Sequence, residues 1–176
     1  MMVEREVKIR VAGIEALRPL LNAMGAARSR SEQELNRIFD TPEGTLRRRG
    51  EVLRVRTADH ASVTWKGPTA EADQHKHKVR EELETGIVDD GAESMVAIFT
   101  RLGYQETLRY AKRRETWHWQ GVTIALDELG FGQFVEIEGD ATVIQDALRH
   151  LHLEDEPLET RSYPELQRLA NRASQG

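Results

Sequence analysis

Residues 3–11, VEREVKIRV, alternate with period two: Val3, Val7, Ile9 and Val11 share a face with Arg5, while Glu4, Glu6, Lys8 and Arg10 share the other. Such alternation specifies a β-strand whose apolar side must be buried. The charged side constrains the fold more, because the device recurs along the chain. Arg54 and Arg56 alternate with Leu53, Val55 and Thr57, and Lys66 follows Thr64 at the same spacing. Lys78, Arg80, Glu82 and Glu84 form one continuous charged face. Lys112 shares a face with Arg114, Glu136 shares one with Glu138 between Val135 and Ile137, and Asp127 ends the run TIALD.

For a single strand, an antiparallel sheet with one dry and one wet face accounts for this. For the set it does not. Residues two apart on a strand face stand ~7 Å from each other, so Glu beside Glu and Arg beside Arg gain nothing from their neighbours. A face shaped by solubility alone mixes signs. Repeated like-sign pairs point instead to a shared polyvalent partner, and a polyphosphate with its metal ions satisfies both sets. Arg and Lys bind phosphate oxygens by charge-assisted bonds. Glu and Asp are hard oxygen ligands for Mg²⁺ or Mn²⁺. The charged faces must then converge while the apolar faces point outward under helices, and a closed antiparallel barrel with a polar lumen permits that inversion.

Length and composition agree with one domain spanning residues 1–176. Charges are mixed, 25 Lys+Arg against 30 Asp+Glu, so nucleic acid is not the expected partner. Cys is absent, which excludes disulfides and thiolate metal sites. With a charged strand close to the first residue and no apolar run near ~18 residues, neither a signal peptide nor a membrane span is expected, and the expected location is the cytoplasm.

Ile14, Leu17, Leu20, Leu21 and Met24 predict a helix ending at Gly25, with a kink at Pro19. ELNRIFDT, TLRRRG, EVLRVRT and SVTWKG read as strands separated by turn signals at Thr41-Pro42-Glu43-Gly44 and Gly50. Residues 68–78 read as a mobile polar loop. KVREELET is a strand leading to a helix through MVAIFTRLG, with Met95, Ile98, Phe99 and Leu102 on one face. LRYAKRRETWHW, VTIALDEL and QFVEIEG are strands, and ATVIQDALRHL a helix. Ser162 is placed to cap a closing helix in RSYPELQRLA.

The chain resembles a known family. VEREVKIRV matches the Glu-x-Glu-x-Lys signature of the CYTH superfamily, the triphosphate tunnel metalloenzymes, which include class IV (CyaB-type) adenylate cyclases and thiamine triphosphatases. FDTPEGTLRRRGEVLRVR, TWKGP, REELE, KRRETW, LDELGFGQFVEIEG and RSYPEL follow in the family's order, covering roughly residues 3–170. The resemblance implies an α+β fold: a closed eight-stranded antiparallel β-barrel, or tunnel, with a charged lumen and helices outside. It implies Mg²⁺ or Mn²⁺ held by Glu4, Glu6, Asp127, Glu136 and Glu138. Lys8, Arg54, Arg56, Lys66, Arg80, Lys112 and Arg114 are the implied triphosphate binders. Glu82 and Glu84 either hold a second metal or orient the basic residues. Lys8, Glu6 and Glu136 are the implied catalytic residues, with Lys8 or a water on the metal as the natural general base. Known members include dimers, so the chain is expected as a monomer or homodimer.

Other features have structural readings. Trp65, Trp117 and Trp119 are expected to pack outside the sheet. His75 and His77 lack neighbouring ligands and read as solvated. Gly130 and Gly132 serve a turn. Arg47, Arg48 and Arg49 either reach substrate at the tunnel mouth or form a solvated edge. The expected reaction is metal-dependent hydrolysis of inorganic triphosphate, thiamine triphosphate or a nucleoside triphosphate. The alternatives are cyclisation of ATP to cyclic AMP and pyrophosphate, which also requires a gripped nucleoside, and a non-catalytic polyphosphate or nucleotide-binding module.

Overall fold

Each alternating stretch forms a strand. The computed structural model describes residues 2–69, 78–88 and 91–174. Its strands are β1 (Met2–Val11), β2 (Ala27–Asp40), β3 (Val52–Thr57), β4 (Ala61–Lys66), β5 (Lys78–Ile87), β6 (Gln105–Trp119), β7 (Val122–Leu129) and β8 (Gly132–Glu138). All eight belong to one antiparallel sheet that closes in a ring, in the order β1-β5-β4-β3-β2-β6-β7-β8. Closure is made by β1, which pairs with β5 on one side and β8 on the other.

The apolar faces point outward. Val7 and Ile9 of β1, Ile124 and Leu126 of β7, and Val135 and Ile137 of β8 are buried in one outer core. A 3-10 turn (Ile14–Ala16), α1 (Leu17–Ala23) and α4 (Ala141–His150) cover that core with Ile14, Leu21, Ile144 and Leu148. Trp117 and Trp119 lie in the same core, where Trp119 Nε1 donates to the Met24 carbonyl at 2.9 Å. Trp65 is half-buried and donates to Glu51 at 3.4 Å.

A second, smaller core closes one end of the ring from within. Ile38, Leu108, Leu129 and Phe134 meet Tyr163 and Leu166 of α5 (Tyr163–Ala173) there. A capping box fixes the start of α5: Ser162 Oγ accepts from the Glu165 amide and the Glu165 carboxylate accepts from the Ser162 amide. The segment before it docks on β1, where the Glu159 amide donates to the Lys8 carbonyl at 2.7 Å.

Several local expectations are corrected. TLRRRG is not a strand but contains α2 (Thr45–Arg48). Asp40, at the end of β2, accepts from the amides of Leu46 and Arg47 at 2.8 and 3.0 Å, so a side chain nucleates the turn. Gly44 precedes it at φ +71°, a conformation that L side chains rarely adopt. Pro19 falls in the first turn of α1, where a missing N–H is tolerated, and the change of helix type precedes it. Strand β2 begins at Ala27, well before ELNRIFDT. The helix through MVAIFTRLG is α3 (Gly91–Arg101); none of its residues is fully buried, and Ile98 and Leu102 are exposed. Most of the expected loop at 68–78, with His75 and His77, lies outside the described residues. Among the described residues no helix is long and apolar enough to cross a membrane.

Candidate active site

Because side chains alternate along a strand, the outward burial of Val7, Ile9, Val135 and Ile137 turns Glu6, Lys8, Glu136 and Glu138 into the ring. A cavity of about 290 Å³ occupies this lumen. Its basic wall is built from Lys8 of β1, Arg54 and Arg56 of β3, Lys66 of β4, Arg80 of β5, and Lys112 and Arg114 of β6. Its acidic wall is built from Glu6 of β1, Glu82 and Glu84 of β5, and Glu136 and Glu138 of β8. Residues far apart in sequence are thus gathered by ring closure. The side chain of Glu4 lies outside the described residues.

Opposite charges meet across strands. Lys66 Nζ stands 2.8 Å from Glu82, and Glu84 receives Arg54 at 3.4 Å, Arg56 at 3.3 Å and the Thr64 hydroxyl at 2.6 Å. Arg80 lies 3.7 Å from Glu6. Lys8 Nζ is 3.3 Å from Glu136, donates to the Arg161 carbonyl at 3.2 Å and sits 4.0 Å above the Tyr163 ring. Arg114 bridges Asp127 and Glu136.

Asp127 does not line the cavity. It is fully buried, and its oxygens accept from Arg114 at 2.7 and 2.6 Å and from the Tyr163 hydroxyl at 2.7 Å. All three residues of the arginine run are exposed, and Arg47 also lines a separate cavity.

Glu34, Tyr110 and Tyr163 are site residues absent from the sequence-based set. Glu34 is 2% exposed and holds Lys112 at 3.2 Å. Burial pushes its carboxyl up, but Lys112, Arg114, Arg54 and Arg56 outweigh this and bring it down to about 2. A sequence signal for it exists: Glu32, Glu34 and Asn36 repeat the polar period-two pattern of the other strands. Tyr110, buried at the cavity floor, is pushed up to about 12 by burial, only partly offset by Arg54. Glu136 is half-buried, and although desolvation raises its carboxyl, Lys8, Arg114 and Lys112 hold it well below the ordinary carboxylate range. Lys112 is shifted down, first by burial and then by Arg114, with Asp127, Glu34 and Glu136 opposing.

The donor set suits a hard divalent cation. Glu6 lies directly opposite Glu138 in the β1–β8 register, as Lys8 does opposite Glu136. Directly paired side chains stand about 4.5–5.5 Å apart at Cβ, so Glu6 and Glu138 can reach one ion between them. Among the described residues no three His, Cys, Asp or Glu side chains already converge on a common point.

Comparison with known proteins agrees with this architecture. The CYTH domain family model matches residues 2–163. The adenylate cyclase CyaB of Aeromonas hydrophila is 30% identical over 175 residues, covering 91% of this chain and 86% of its own. A solved structure from Vibrio parahaemolyticus, described as a candidate adenylate cyclase, superposes with TM-score 0.80 at 25% identity, covering 95% of this chain and 98% of its own. The adenylyl cyclase candidate HpAC1 of Hippeastrum, described as having a dominant triphosphatase activity, shares the fold with TM-score 0.74 at 21% identity over 95% of this chain and 96% of its own. The ring of strands, the charged lumen and these matches identify the chain as a member of the CYTH family, whose enzymes are triphosphatases or class IV adenylate cyclases.

Proposed function

We propose that the lumen binds the triphosphate group of a small-molecule substrate and directs water to its terminal phosphorus, and that Glu6 and Glu138 would hold Mg²⁺ or Mn²⁺. The observation that carries this reading is the convergence of Lys8, Arg54, Arg56, Lys66, Arg80 and Arg114 on one cavity. Its volume of about 290 Å³ lies just below the ~300–1,000 Å³ usual for small-molecule sites. The aromatic rings at its wall, Tyr110 and Tyr163, are buried in the apolar floor, which suits phosphates better than a stacked base.

Binding exchanges partners. Arg54 and Arg56 leave Glu84, and Lys66 leaves Glu82, for phosphate oxygens that accept the same charge-assisted bonds. Glu82 and Glu84 thereby hold the cations in place before substrate arrives. Asp127 positions Arg114 through paired hydrogen bonds and is in turn fixed by Tyr163. Glu136, held anionic at neutral pH, accepts from Lys8 and Arg114 and keeps both aimed into the lumen. Lys8, paired with Glu136 at 3.3 Å beside the acidic wall, is assigned to orienting the attacking water. A bound cation would neutralise charge on the phosphate oxygens, so catalysis rests on positioning and electrostatics.

The likeness to the Aeromonas adenylate cyclase over 91% of the chain favours a second reading, cyclisation of ATP. One experiment separates them. Metal-stripped protein is incubated with Mg²⁺ or Mn²⁺ and inorganic triphosphate, thiamine triphosphate or ATP, and products are followed by ³¹P NMR. Metal-dependent orthophosphate is the expected result. Pyrophosphate with cyclic AMP from ATP replaces the hydrolase reading with the cyclase, and binding without products sinks both.

A further inference from the structure

Beyond the apolar end of the lumen lies a second cavity, about 310 Å³, whose wall includes residues of α2, β3 and the first turns of α5. The two cavities share Arg80, Ile38, Val52, Ser162 and Pro164 as lining. Arg47 of α2 and Arg168 of α5 supply the second cavity's other cations.

These arginines differ from those in the lumen. Arg54, Arg56, Arg80 and Arg114 each have a carboxylate within ion-pairing distance. Among the described residues, the Arg47 and Arg168 guanidiniums have none. Acids do line the cavity, but they serve other donors. Asp40 accepts from the amides of Thr41, Leu46 and Arg47. Glu165 accepts from the amide and hydroxyl of Ser162 at 2.6 and 2.7 Å, and Glu51 accepts from the Trp65 indole. Burial and the neighbouring Arg47 lower Arg168, against the pull of Asp40 and Glu165. Thr69 and Thr160 add hydroxyl donors to the wall.

We propose that this second cavity is an oxyanion site that takes one phosphate group between Arg47 and Arg168. The planar guanidiniums that line it match the oxygens of a tetrahedral phosphate. The group is either free orthophosphate or the far end of a longer linear polyphosphate whose near end lies at Arg80. The inference does not depend on which reaction the lumen performs.

The test uses the full chain carrying Lys66→Gln, which weakens the lumen. Orthophosphate is titrated and followed by ³¹P line broadening. Adding Arg47→Gln and Arg168→Gln is expected to weaken binding about tenfold for each guanidinium removed. Arg172→Gln, exposed on the same helix and not in the cavity wall, should leave it unchanged. If orthophosphate is indifferent to the pair, linear hexaphosphate is compared with triphosphate. Loss of the hexaphosphate advantage in the Arg47/Arg168 variant then assigns the site to a distal phosphate group. Orthophosphate affinity and hexaphosphate advantage both unchanged would overturn the proposal. Failure of the lumen reading shows separately, as no triphosphate turnover in protein whose phosphate binding still depends on Arg47 and Arg168.

Discussion

The two faces of β8 show how the ring divides its labour. Val135 and Ile137 face outward and are 1% and 0% exposed, whereas Glu136 and Glu138 on the same backbone face the lumen. Each apolar side chain of this size contributes ~1.5–3 kcal/mol by burial. The charges opposite them contribute far less, because the cost of desolvating buried ions largely cancels their attraction. The outer wall therefore stabilises a frame whose inner wall can be devoted to binding. Since both walls share one backbone, packing outside holds the groups inside in register.

The sharpest way to break this division is to alter the inner wall alone. Glu6→Gln and Glu136→Gln should each reduce metal-dependent turnover at least ~100-fold while circular dichroism stays native. Full activity in both variants would sink the assignment of the acidic wall. Glu34→Gln should cross the division, because it removes one of the carboxylates that compensate Lys112 and Arg114, which keep Asp127, and should cost about 2 kcal/mol in urea unfolding. The same carboxylate sets an acid limb. Its folded pKa of about 2 lies below the ordinary 4.5, so its stabilisation is present above pH ~4.5 and is lost as pH falls toward 2. Acid unfolding of Glu34→Gln should be correspondingly flatter over that window, and an unchanged profile counts against the ion cluster.

Smaller effects sharpen the comparison. Tyr163→Phe removes the hydroxyl that holds Asp127 and should cost ~1.5 kcal/mol, with a fall in kcat exceeding any rise in KM. Ile137→Val on the outer wall should cost ~1 kcal/mol and leave kcat and KM unchanged below the unfolding transition. Altered KM in that variant would mean that the two faces are not independent.

The strands are legible where one face is apolar and the other charged, as in VEREVKIRV and QFVEIEG. The first part of β2 is not: residues 27–31 are all exposed, so neither face carries an apolar signal. Glu34 opens the legible stretch ELNRIFDT, but Glu32, which completes the like-sign pair, falls outside it, so the pair goes unnoticed although Glu34 is a buried partner of Lys112 in the basic wall. Thr-Leu-Arg-Arg has no periodicity to distinguish a strand from a turn of helix, and the deciding bonds come from Asp40, beyond the stretch itself. The lumen set is readable because period two fixes which side chains share a face. What spacing cannot reveal is that Asp127 lies behind the wall, since that depends on Tyr163 arriving from a distant helix.

Closure by β1 has a consequence for the order of assembly. The first strand must find β8, and the pair Lys8–Glu136 is joined across most of the chain's length. Such distant pairing is slow to form. During synthesis β1 must wait, unpaired on that side, until β8 has emerged. Glu6 and Lys8 face Glu138 and Glu136 across this seam, so the binding chamber is complete only when the ring shuts.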